Sequence, residues 1–94
     1  MKVHWTNEFL EQIEAIVEYI SKDNVSAALA LCDSIFEQVE KILPNNPKAG
    51  RPGRVDGTRE LVVHASYLVA YRISDEAIEV LTVMHAARLW PVQF

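Results

Sequence analysis

Cysteine is almost missing from these 94 residues: Cys32 stands alone, so no internal disulfide can staple the fold. Glycine is scarce as well, with three residues, and Gly50 and Gly53 do not make a phosphate cradle. Such a cradle needs a strand leading in, a helix leading out and a Lys-Ser/Thr pair, none of which flanks them. The three histidines, His4, His64 and His85, lie far apart without cysteine companions, so neither a metal site nor a cofactor is expected. No nucleophile elbow is present either. No apolar run approaches the roughly 20 residues of a membrane helix, so no membrane association is expected. The opening Met1–Phe9 also lacks the apolar segment of a secretory leader. A reducing cytoplasm is the expected compartment.

What is present suits a small water-soluble domain. Half of the residues are hydrophobic and 23% are charged, which is the balance of a folded globule rather than a disordered tail. A chain of this size holds one core, so residues 1–94 are expected to form a single domain. The net charge of −4 is unevenly spread. Residues 1–43 carry three lysines against eight acids, whereas residues 44–72 carry Lys48, Arg51, Arg54, Arg59 and Arg72 against Asp56 and Glu60. A duplex-coating protein usually needs a broader basic face than this, so generic DNA coating is not expected. An anionic partner would dock on the middle segment alone.

Hydrophobic spacing predicts the elements. Lys2–Trp5 reads as a short strand. Thr6 is placed to cap a helix whose apolar stripe is Phe9, Ile13, Ile16 and Ile20, with Glu11, Glu14 and Glu18 on its wet face. A second helix, from Ser26 to Leu43 and capped by Asn24 or Ser26, buries Ala28, Leu31, Cys32, Ile35, Val39 and Ile42. The short link makes the two helices an antiparallel hairpin. On that stripe Cys32 reads as a packed, inert thiol. Pro44 stops the second helix, and the Pro- and Gly-rich stretch to Arg54 is expected to be a basic loop. Arg59–Val63, Tyr67–Ile73 and Ile78–Met84 then read as three strands in an antiparallel meander. The fold class is therefore α+β: an N-terminal strand, and a helix hairpin packed on a four-stranded, mainly antiparallel sheet.

Chemistry is sparse. The remaining candidates are Arg59 opening one strand, Arg72 within the next, and His85 and Arg88 at the end of the last. Guanidinium groups clamp or stabilise phosphoryl charge, and imidazole moves protons near neutral pH. Two readings stay open at this level: RNA backbone cleavage or anion docking, and a purely structural set in which Arg59 pairs with a nearby carboxylate and His85 caps a strand.

Gly50-Arg51-Pro52-Gly53-Arg54, Gly57-Thr58-Arg59-Glu60-Leu61, Tyr67–Ile73 and Val80–Pro91, in this order and spacing, resemble the RelE/ParE toxins of type II toxin–antitoxin modules. Trp5-Thr6 and the Ile16, Tyr19, Ile20 cluster extend the likeness over nearly the whole chain. The resemblance implies a four-stranded antiparallel sheet carrying a helical hairpin, and a cognate antitoxin that masks the toxin in a hetero-oligomer. It also implies one of two activities. RelE-like members cut messenger RNA on the ribosome, and for that activity Arg59, His85 and Arg88 would be the catalytic set. ParE-like members inhibit DNA gyrase by binding it. Leu68 stands where the nucleases place an arginine, no tyrosine follows Tyr71, and the chain is acidic overall. These departures favour the gyrase-binding branch over the nuclease; an inactive relative serving as a binding module is the third possibility. The partner-facing residues implied are Lys48, Arg51, Arg54, Arg59, Arg72, Arg88 and Trp90.

Overall fold

The computed structural model describes residues 1–64 and 66–86. Strand β1 (Lys2–Trp5) leads into helices α1 (Asn7–Ser21) and α2 (Val25–Ile42). Strands β2 (Arg51–Pro52), β3 (Arg59–His64), β4 (Tyr67–Ser74) and β5 (Ala77–His85) follow. The sheet order is β1-β5-β4-β3-β2. β1 runs parallel to β5 and the other pairs are antiparallel, so the sheet is mixed. The predicted α+β architecture, helix hairpin and meander are all present.

One strand is added to the predicted four. Within the expected basic loop, Arg51 and Pro52 pair with Glu60 and Arg59. Proline is tolerated there because β2 is the outermost strand, where a missing N–H interrupts no ladder on its free side.

The helix ends follow from local chemistry. Thr6 accepts a hydrogen bond from the Phe9 N–H at 3.2 Å, the N-cap that satisfies an orphan donor of α1. Its hydroxyl also donates to the Val80 carbonyl at 2.7 Å. One side chain thus fastens α1 to the place where β5 shifts register against β4, between Ala70 and Tyr71. Asn24 caps α2 through the Ala27 N–H at 3.0 Å, which settles the choice between Asn24 and Ser26.

The helices bury Phe9, Ile13, Ile35, Val39 and Leu43 against Leu61, Val63, Val69, Tyr71, Ile78, Val80 and Val83 of the sheet. Trp5, Phe9 and Phe36 join β1, α1 and α2, with ring centroids 4.7–5.6 Å apart. On the opposite sheet face Val62 is exposed and Arg72 and Glu79 are half-buried, while Leu68, Ala70 and Thr82 are buried. Among the described residues no helix is long and apolar enough to cross a membrane.

Candidate functional site

Two buried residues, Glu60 and Tyr71, organise the basic segment. The Tyr71 hydroxyl donates to the Pro47 carbonyl at 2.6 Å and accepts from the Gly50 N–H at 3.0 Å. Gly50 lies so close that a Cβ there would stand 2.7 Å from the Glu60 carbonyl oxygen and 2.8 Å from the Tyr71 ring. Only glycine fits without the loop moving outward. The Glu60 side chain is 1% exposed and faces away from the helices. It accepts from the Arg54 N–H at 2.8 Å and from the Arg51 guanidinium at 3.2 Å, with Arg54 Nε at 3.7 Å. A buried carboxylate demands such partners, and both arginines keep much of their surface in water.

Arg59 does something else. It sits on the helix-facing side of β3 and donates to the Gly50 carbonyl at 2.9 Å and the Lys48 carbonyl at 3.3 Å. The structural reading of Arg59 as a carboxylate partner is therefore replaced: it holds loop carbonyls, and Glu60 pairs instead with Arg51 and Arg54. Lys48 contributes an exposed side chain at the loop crest.

Arg72 lies on the same sheet face as Glu60, because Val3, Ile78 and Ile73 share one row toward the core and His4, Glu79 and Arg72 share the next row away from it. Arg51, Arg54 and Arg72 consequently present their charge from the face opposite the helices.

His85 is at the other end. It pairs in register with Tyr67, whereas Arg59 pairs with Tyr71. Four residues and two strand spacings separate them, or roughly 13 Å along the sheet and about 10 Å across it. The structure does not bring Arg59 and His85 to one reacting atom. His85 instead packs edge-on to Tyr67 at 5.4 Å, with His64 on the other side of that ring at 6.3 Å. His85 and Tyr67 also line a cavity of about 410 Å³ beneath Gln12, Ala15, Ile16 and Tyr19 of α1. Arg88 and Trp90 lie outside the described residues.

Among the described residues no cluster of His, Cys, Asp and Glu could hold a metal. Cys32 is half-buried, and burial followed by the neighbouring Asp33 charge pushes its thiol above the ordinary value. It is therefore held as the unreactive neutral form at physiological pH.

Sequence reasoning missed Glu60, Tyr71 and the α1 groove. A carboxylate beside Arg59 inside an apolar strand, and a tyrosine at the centre of the next, were the available signals. Each puts a polar group where the sheet is dry and so requires a dedicated partner.

Comparison with known proteins agrees with this frame. Residues 3–90 match the family model described as the ParE toxin of the type II toxin–antitoxin system parDE. The chain is 42% identical over 91 residues to "Putative toxin Y4kP" of Sinorhizobium fredii, covering 96% of this chain and 93% of that one. It is 31% identical to Toxin RelE2 of Caulobacter vibrioides, covering 94% and 98%. A chain of the chromosomal ParDE system from P. aeruginosa superposes with a TM-score of 0.80 at 27% identity, over 90% of this chain and 95% of that chain. A match that spans β1 through β5, on a sheet-and-hairpin scaffold of the same shape, places this chain in the ParE family of toxins of type II toxin–antitoxin systems.

Proposed function

We propose that this toxin acts by binding DNA gyrase, with no chemistry of its own, and that a cognate antitoxin silences it in a hetero-oligomer. The observation that carries the reading is the separation of Arg59 from His85, the two candidate catalytic groups among the described residues. Arg59 is committed to the carbonyls of its own loop, and His85 stands four residues and two strands away. General acid–base cleavage needs proton donor, base and charge stabiliser around one phosphate. Leu68, on the face that carries Arg51 and Arg72, adds no charge to that face. A protein that works by contact needs only a firm scaffold and accessible cations, and Arg51, Arg54 and Arg72 supply them. The site of action assigned is the cytoplasm.

For the antitoxin, we assign Lys48, Arg51, Arg54 and Arg72 to its acidic side chains, together with Arg88 and Trp90, and Arg59 to holding the loop that presents them. Alanine at Lys48, Arg51, Arg54 or Arg88 is expected to weaken antitoxin binding by a few-fold each, measured by titration calorimetry. Exposed charges at a rim tune association rate and salt dependence more than total affinity.

A second reading, ribosome-dependent cleavage of messenger RNA, draws on the His64–Tyr67–His85 ring cluster, which places two imidazoles beside a phenol. Purified toxin added to a gyrase supercoiling reaction and to a translating extract separates the two. Blocked supercoiling with intact message supports gyrase binding, and cut message with normal supercoiling supports cleavage.

A further inference from the structure

We infer that the free edge of β1 is a docking surface for a second copy of this chain, whose own β1 adds antiparallel to it about a two-fold axis at His4. The inference is independent of what the toxin inhibits and of how an antitoxin silences it.

The two edges of the sheet differ. β2 is two residues long, and one of them is Pro52, which has no N–H to offer a further strand. β1 has four residues and no proline. Beside β5, the N–H groups of Lys2 and Thr6 donate to the Glu76 and Val80 carbonyls at 3.4 and 3.2 Å. Alternate residues of a strand turn their backbone groups to the same side. Lys2, His4 and Thr6 therefore serve β5, while Val3 and Trp5 aim N–H and C=O outward. β1 ends the sheet, and among the described residues no strand takes up those groups. Such an edge is a template for another strand.

The groups themselves fix the register. Outward-pointing residues must stand opposite outward-pointing residues, and Val3 opposite the second copy's Trp5, repeated by symmetry, uses all of them. His4 then meets its own counterpart on the axis, a non-hydrogen-bonded pair with Cα atoms about 4.5 Å apart. The faces agree as well. Val3 and Trp5 pack toward the core in each copy, so apolar side chains stand beside apolar ones, while Lys2 and His4 stay on the exposed face.

Charge favours a second copy in the antiparallel sense. The start of β1 is positive, with the amino terminus and Lys2, and its end runs into the first turn of α1, where Glu8 is exposed. Antiparallel pairing sets Lys2 opposite the second copy's Thr6, with that copy's Glu8 two residues further on, and does so twice. Parallel pairing would set Lys2 beside Lys2.

The test is sedimentation velocity on the full-length toxin over a range of concentrations, with circular dichroism to verify that each variant is folded. Wild type is expected to pass from monomer to dimer as concentration rises. His4→Lys puts two ammonium groups on the axis from an exposed position, and is expected to weaken dimerisation about tenfold. Cross-linking reads the register. In a Cys32→Ala background, His4→Cys is expected to form disulfide dimers under mild oxidant, because its Cα spacing suits a disulfide. Lys2→Cys stands four residues out of register with its counterpart, roughly 14 Å away, and is expected not to cross-link. Wild type that stays monomeric at every concentration would overturn the inference. So would His4→Lys that dimerises as tightly as wild type, or Lys2→Cys that cross-links as readily as His4→Cys, since either would move the contact away from β1 or out of this register.

Discussion

Tyr71 bears on more of the functional segment than any cation does. Its hydroxyl is the shared partner of Pro47 and Gly50, in a place from which water is excluded. Tyr71→Phe leaves both backbone groups wanting and is expected to cost about 1–3 kcal/mol in urea unfolding. Glu60→Ala strips the Arg54 N–H of its acceptor and empties the buried site, with an expected loss of about 2 kcal/mol. Arg51→Ala is expected to cost under about 1 kcal/mol, since Arg51 is largely solvated and Arg54 still faces the carboxylate. Equal losses for Glu60→Ala and Arg51→Ala in the same urea series would refute this division. The individual arginines were legible in the sequence because their charge is conspicuous. Their assignments were not, since Arg59 and Glu60 are adjacent in sequence yet alternate to opposite faces, and the pairing between Glu60 and Arg51 depends on β2 forming at all.

At the level of elements, the hairpin of α1 and α2 was readable from spacing, and both N-caps fall where the side-chain chemistry requires. Three of the main strands begin or end within a residue or so of their apolar runs. The short pair of β2 with β3 was not readable, because two residues containing a proline carry no periodicity. The parallel placing of β1 beside β5 could not be seen either, because the partners are 75 residues apart. Thr6 is the hinge pin between those layers. Thr6→Ala loses a cap and a bond to Val80 and is expected to destabilise the fold by about 1–2 kcal/mol. Thr6→Ser keeps the hydroxyl and is expected to recover most of that loss. Thermal melts of the two variants side by side provide the comparison, and an unrescued Thr6→Ser would assign the effect to the methyl group instead.

At the scale of the whole molecule, the charges of the described residues fall on two sides. The exposed side of α1 carries Glu8, Glu11, Glu14 and Glu18, while the sheet face away from the helices presents Arg51, Arg54 and Arg72 around the buried Glu60. A segment that wraps from one side to the other would meet opposite charge on each, which suits masking by a folding peptide better than capture of a uniform polyanion. The separation of Arg59 from His85 among the described residues supports the proposed mode of action, inhibition by occupancy. Titrating purified toxin against a fixed amount of gyrase, well above the concentration needed for binding, measures this directly. Supercoiling is expected to fall in proportion to toxin added, to stop near a fixed ratio of toxin to gyrase, and to return when antitoxin is supplied. Gyrase that keeps full activity at a large excess of toxin, while trace toxin destroys message in a translating extract, would contradict the account.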